Sequence, residues 1–164
     1  MSIALIDTSI FLNLLDVPGR NQDYQQVLHD VAEYIELEFE LILPLATVVE
    51  TGNHIAQCGD GGTRRKAAQR FRLSVEGAFN GQAPWQASEF DSPEQILTWL
   101  PEFPDMAGRN KSTTKPNEGT SFGDLSIIQE FKRACARHKA REVFIWSLDE
   151  DLQSYHHIPT LKAR

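Results

Sequence analysis

Cysteine is nearly absent from this 164-residue chain: there are two, Cys58 and Cys135, far apart in sequence. That scarcity excludes a disulfide-stapled secreted scaffold and a cysteine-built zinc site. Both thiols are expected on helices, as buried free groups of a protein in a reducing cytoplasm. Long apolar runs are missing too. No stretch approaches the roughly 18 residues that a membrane span needs, so no membrane partner is expected. Met1-Ser2 leads straight into Ile3-Ala4-Leu5-Ile6 with no basic segment ahead of it, a pattern unlike a signal peptide. No glycine-rich phosphate loop occurs, which excludes nucleotide hydrolysis of the P-loop kind. Internal repeats and low-complexity tracts are absent. A surplus of positive charge is lacking as well, since the net charge is −7. A protein that grips nucleic acid through its overall field is basic. Work on nucleic acid is compatible with this balance only where carboxylates serve as metal ligands and basic residues cluster locally.

What is present is a soluble globular composition, 41% hydrophobic and 24% charged, in a length that suits one domain over residues 1–164. Ile3 to Ile6 reads as a short buried strand ending at Asp7. Tyr24, Val27, Leu28, Val31, Tyr34 and Ile35 recur at helical spacing and predict a helix over about 23–39. Leu41-Ile42-Leu43 predicts a second strand closed by Pro44. A helix over about 47–58 and a glycine turn at 59–62 follow. Thr63 to Phe79 is a basic amphipathic helix. Ser92-Pro93-Glu94-Gln95 has the residues of a capping box, with proline at the first helical position, and opens a short helix ending by Leu100. Pro101 to Thr120, with three prolines and two glycines, predicts a long loop of the kind that is functional or mobile. Gly123-Asp124 opens a last long helix with Leu125, Ile128, Phe131 and Cys135 on one face. Val143 to Trp146 is a third strand. Strands alternating with helices predict an α/β fold with a mainly parallel central sheet flanked by helices.

The acids fall at informative places. Asp7 ends the first strand, and Glu50 lies in the first turn of the helix after the second. Asp124 lies in the first turn of the last helix, and Asp149 just past the third strand. Strand carboxyl ends and the helix starts that follow them share one rim of an open parallel sheet. Four carboxylates distant in sequence are therefore expected in one pocket. Crowded anions repel and hold one another's protons. Hard divalent cations relieve that repulsion, and oxygen ligands suit Mg²⁺ or Mn²⁺. One or two such ions, about 3.5–4 Å apart where there are two, can hold a phosphodiester and activate water. No histidine, cysteine or serine nucleophile is needed.

Ile3-Ala4-Leu5-Ile6-Asp7-Thr8-Ser9 resembles the opening of PIN domains, in which an apolar strand leads into Asp-Thr-Ser or Asp-Thr-Asn. Thr47-Val48-Val49-Glu50 is similar to the segment bearing that family's second acid. Thr120-Ser121-Phe122-Gly123-Asp124 resembles the third-acid segment, and Val143 to Asp149 the fourth. The resemblance runs over nearly the whole chain in the family's order. It implies a single PIN-like domain and a metal-dependent ribonuclease, with Asp7, Glu50, Asp124 and Asp149 both catalytic and holding Mg²⁺ or Mn²⁺. It also implies a supporting or phosphate-contacting role for Ser9, with Asp151 as an outer ligand. Many small PIN proteins are toxins of the VapC kind, neutralised by an antitoxin and often dimeric, so RNA, an antitoxin and a second copy are the partners it suggests. The stretch between Glu50 and Asp124 is longer than in the short toxins.

Each acid also has a plain structural explanation. Asp7 suits a helix cap. Thr47-x-x-Glu50 fits a capping box. Asp124 favours a positive helix end, and Asp149, Glu150 and Asp151 suit a solvated turn. Jointly those explanations require four coincidences in order. Among the basic residues, Arg64, Arg65, Lys66, Arg70 and Arg72 read as a solvated helix face, as do Lys132, Arg133, Arg137, Lys139 and Arg141. Lys111 and Lys115, in the loop before Asp124, are the expected phosphate contacts. The five histidines show no ligand spacing. Trp146 reads as core, and Trp85 and Trp99 as packing. Ser9 stands where a haloacid dehalogenase-type phosphatase has its second aspartate, which removes that reading. A receiver domain would need paired acids before Asp7. A non-catalytic PIN-like binding module and a structure-specific DNA nuclease are the competing functions.

Overall fold

The computed structural model describes residues 1–160, so the last four residues of the expected 1–164 domain lie outside the described part. Strand β1 (Ile3–Ile6) is buried at every position. It shows no polar alternation because both of its faces are covered, as parallel sheets require. Ala4 and Ile6 face one apolar cluster, with Phe11, Val27 and Leu43. Ile3 and Leu5 face the other, with Ile127, Ile128 and Ile145. This two-residue period splits one short strand between two cores.

After β1 come α1 (Thr8–Leu14), α2 (Tyr24–Glu36), β2 (Glu40–Leu43), α3 (Leu45–Ile55), α4 (Gly61–Phe79), β3 (Trp85–Ala87) and α5 (Pro93–Trp99). A 3₁₀ turn (Leu100–Glu102), α6 (Phe103–Gly108), α7 (Phe122–Arg137), β4 (Val143–Trp146), α8 (Glu150–Gln153) and β5 (His156–His157) complete the order. The sheet runs β3-β2-β1-β4-β5. All pairings are parallel except β4 with β5. The expected α/β class with a mainly parallel sheet and flanking helices is what the chain adopts. The chain winds outward from β1 through β2 to β3, then returns to place β4 on the other side of β1. Strand order therefore reverses between β1 and β4, and a crevice opens at the carboxyl ends of such neighbours.

Several boundaries differ from those expected. Helix α3 starts at Leu45, directly after Pro44 as its cap, because the fixed φ of proline suits a helix entrance. Glu50 is therefore in the second turn, not the first. Thr47 makes no capping box: its hydroxyl donates to the Ile6 carbonyl at 2.8 Å in the interior and ties α3 to the end of β1. Cys58 lies past the end of α3, and both cysteines are half-buried free thiols. The expected 101–120 loop is helical up to Gly108. Pro101 and Pro104 each stand at the first positions of a helical segment, where a missing N–H leaves nothing unpaired. Only 109–121 is irregular, apart from a bridge between Ser112 and Lys115. The capping box opening α5 is formed, with Ser92 and Gln95 satisfying each other's backbone. No helix among the described residues is long and apolar enough to cross a membrane.

Candidate active site

At the crevice between β1 and β4, Asp7, Glu50, Asp124 and Asp149 line one cavity of about 380 Å³. Each comes from a different part of the chain. Asp7 follows the last residue of β1, where its backbone N–H donates to the Trp146 carbonyl of β4 at 3.0 Å. The side chain is buried and caps α1, with the Ser9 amide 3.4 Å from Oδ2. The same oxygen accepts from the Ser9 hydroxyl at 2.9 Å and the Ser147 hydroxyl at 2.8 Å. The capping role of Asp7 is thus real and coexists with its place in the cavity wall. Burial is the main influence on its carboxyl and pushes the pKa up; Ser147 and Ser9 oppose this, and Asp124 adds to it.

Glu50 accepts from the Thr8 hydroxyl at 2.9 Å. Its pKa is also raised, first by burial and then by Asp124 and Asp7, against the Thr8 bond and Lys111. Its neighbour on α7 is Gly123, where an added Cβ would overlap Glu50 Oε1 and crowd its Cδ. Helix α7 approaches Glu50 this closely only because position 123 has no side chain. Asp124 sits in the first turn of α7, whose cap is Ser121: the hydroxyl accepts from the Asp124 amide at 3.0 Å. The Asp124 carboxylate, buried and next to the positive end of α7, is free of capping work.

The lysines of the 109–121 segment reach into this acid cavity. Lys111 Nζ lies 2.6 Å from Asp124 Oδ2 and 3.7 Å from Asp151 Oδ2, with 9% of its side chain exposed. At that distance the ammonium is ion-paired directly with Asp124 Oδ2. Burial opposes the charge on Lys111, but Asp124, Asp151 and Asp149 outweigh it and hold the pKa above the ordinary lysine value. Lys115 donates to Asp149 Oδ1 at 2.8 Å, at a more open position. Asp151 is pushed up by burial, against the pull of Lys111. The two residues expected to contact phosphate therefore pair with three of the expected acids in this structure.

Ser9 joins the two loops at the crevice. Besides Asp7, its hydroxyl accepts from the Leu148 amide at 3.0 Å. Ser147, which sequence reasoning passed over, donates to Asp7 and accepts from the Asp149 amide at 3.0 Å. Its only signal was its position between β4 and Asp149. His54, one helical turn after Glu50, lines the cavity with Arg20. Burial, then Arg20, lower its pKa, and its Nδ1 is buried without a partner. The four-residue spacing from Glu50 was the available signal.

Several other basic residues make their contacts away from the cavity. Arg70 donates to the Leu15 and Asp16 carbonyls beyond α1. Arg72 pairs with Glu76, and Arg133 with Asp91. Trp146 is core, and Trp99 is buried with its Nε1 bonded to Asp91. His156 pairs with Glu142 at the sheet edge.

The donor set facing the cavity is rich in carboxylate and hydroxyl oxygen, the chemistry that hard divalent ions take. The room that Gly123 leaves for the Glu50 carboxylate beside α7 suits such an ion. Among the described residues, no three of the histidine, cysteine, aspartate and glutamate side chains are already drawn together as a metal cage. The acids stand around the cavity with lysine between them. No protein-family model, curated protein or solved structure matches the chain.

Proposed function

We propose that this protein is a metal-dependent ribonuclease of PIN-domain type that hydrolyses RNA phosphodiester bonds at the Asp7–Glu50–Asp124–Asp149 cavity. The observation that carries the reading is convergence: four acids from four separate elements line one crevice at the strand-order reversal. The four segments that resemble PIN domains are the ones that deliver those acids. Asp7 and Glu50, with the Asp124 oxygen that Lys111 does not hold, are the residues to bind Mg²⁺ or Mn²⁺, with Asp149 at the rim. The ion, when bound, supplies charge neutralisation at the phosphate and a more acidic water.

The chain's own groups do the rest. Ser9 and Ser147 hold the Asp7 carboxylate at Oδ2, which fixes its orientation. Thr8 does the same for Glu50. Lys115, on the open side, is the group to meet a phosphate, because its partner Asp149 is itself partly exposed and a phosphate can compete for the ammonium. Burial, and then Arg20, disfavour the charged form of His54 beside Glu50. An antitoxin and a second copy of the chain belong to the same reading through the family resemblance.

A second reading has one observation in its favour. The acids are already partly neutralised by Lys111 and Lys115, as they would be in a non-catalytic PIN-like module that binds RNA or protein. The two separate cleanly in a cleavage assay on mixed structured RNAs and single-stranded DNA with Mg²⁺, Mn²⁺ or chelator. Wild type is compared with Asp7→Asn and Glu50→Gln. Metal-dependent RNA cleavage lost in both variants is expected. Folded protein that cuts no RNA with either ion would overturn the proposal in favour of the binding module. Preferential cutting of DNA would make it a DNA nuclease.

A further inference from the structure

The acid cavity has two unlike halves. Asp124, Asp149 and Asp151 have ammonium groups at 2.6, 2.8 and 3.7 Å. Asp7 and Glu50 are bonded to hydroxyl groups and have no ion pair among the described residues. Lys111 is the more enclosed of the two lysines. Its side chain is as buried as that of Asp124, at 9% and 8% exposure, whereas the Lys115 side chain is 34% exposed.

The backbone around Lys111 is also built to keep it there. Its amide donates to the Glu118 carbonyl at 2.6 Å, and the Thr120 amide donates to the Met106 carbonyl at 3.1 Å. Between those bonds the returning strand of the segment presses on the end of α6. An added Cβ at Gly119 would overlap the Ala107 carbonyl oxygen. That neighbour is backbone and cannot swing aside as a side chain can. The segment that carries Lys111 therefore has a fixed seat against α6, one that requires glycine.

We propose that Lys111 is a built-in cation of the active site: its ammonium holds the place beside Asp124 and Asp151 that a second divalent ion would take, so the cavity takes up one such ion, on the Asp7–Glu50 side. This rests on the metal-dependent reading of the cavity given above. Two-metal sites hold their ions about 3.5–4 Å apart on shared carboxylates. An ammonium at 2.6 Å from Asp124 Oδ2 repels a further cation from that oxygen. A lysine does this work without having to be recruited from solution. As a point charge on a flexible stem it faces both Asp124 and Asp151 and offsets one of their two negative charges.

The test is a count of Mn²⁺ bound to the full chain, by calorimetric titration and by electron paramagnetic resonance at saturating Mn²⁺. Wild type is expected to bind one ion per chain, with the spectrum of an isolated ion. Folded Lys111→Met is expected to bind two, with the broadened spectrum of a coupled pair, and Lys111→Arg one. Two ions in the wild type would overturn the inference and leave the metal-dependent reading standing. No ion at all would overturn both. One ion in folded Lys111→Met would overturn the substitution of lysine for metal. If Lys111→Met does not fold, Lys111→Gln takes its place with the same expected count of two, and a wild-type count of two or none overturns the inference by itself.

Discussion

Gly123→Ala offers a way to perturb the acid cavity without removing any group that faces it. The added methyl would overlap Glu50 Oε1 and stand 3.3 Å from Oε2. Those atoms are the end of a flexible side chain, so the backbone of α7 can stay and Glu50 must move. Moving it breaks the Thr8 bond of 2.9 Å, a loss of about 0.5–1.5 kcal/mol. Replacing glycine by alanine near the start of a helix returns up to about 1 kcal/mol of backbone entropy and propensity. The two effects offset each other, and folding stability is expected to change by less than ~1 kcal/mol. Metal affinity has no such compensation. A displaced ligand or supporting group typically weakens binding by about 10–100-fold, and that is the expected loss for Mn²⁺. Urea unfolding and calorimetric Mn²⁺ titration on the same sample measure both quantities. Unchanged Mn²⁺ affinity would refute the assignment of Glu50 as a ligand. A stability loss of several kcal/mol would refute the claim that the side chain, and not α7, gives way.

Three further outcomes are expected. Asp7 has a raised pKa, chiefly from burial, so the folded protein holds that proton more tightly than the unfolded chain. This contribution is full below the ordinary value of 3.8 and is lost as pH rises through the higher folded value. Wild type should therefore lose stability relative to Asp7→Asn as pH rises above about 4; parallel stability curves from urea unfolding would contradict it. Asp91→Ala removes the partner of both the buried Trp99 Nε1 and Arg133. A cost of about 1–3 kcal/mol is expected from the stranded donors, with Mn²⁺ binding unaltered in titration; a change in ion count would show that this pair reaches the cavity. Phe11→Ala empties a fully buried site edge-on to Trp85. Denaturant unfolding should report about 3–5 kcal/mol lost, and a loss below 1 kcal/mol would mean that the core there collapses to fill the space.

Much of the frame was legible in the order of residues. β1, β2, β4 and α7 announce themselves because their signals are local: an unbroken apolar run for a strand covered on both faces, and apolar positions at helical spacing. The capping box of α5 is equally local, since its bonds join residues three apart. β3 has only three residues, none of them buried, and its strand character comes from pairing with β2 rather than from its own pattern. Pro101 and Pro104 made the start of 101–120 read as loop, although proline suits the first turn that each occupies. Positions near the ends of β1 and β4, with those at the start of α7 and within α3, marked the candidate acids. Proximity between them is another matter. Whether Lys111 meets Asp124 or solvent depends on how 109–121 folds back over the cavity, and that path is set by the close pass of Gly119 against Ala107. Likewise, Gly123 looks like any helix-start glycine until Glu50 is seen beside it. Strand and helix signals repeat over a few residues and can be read along the chain, whereas charges are neutralised by whatever groups the completed packing brings within a few ångströms.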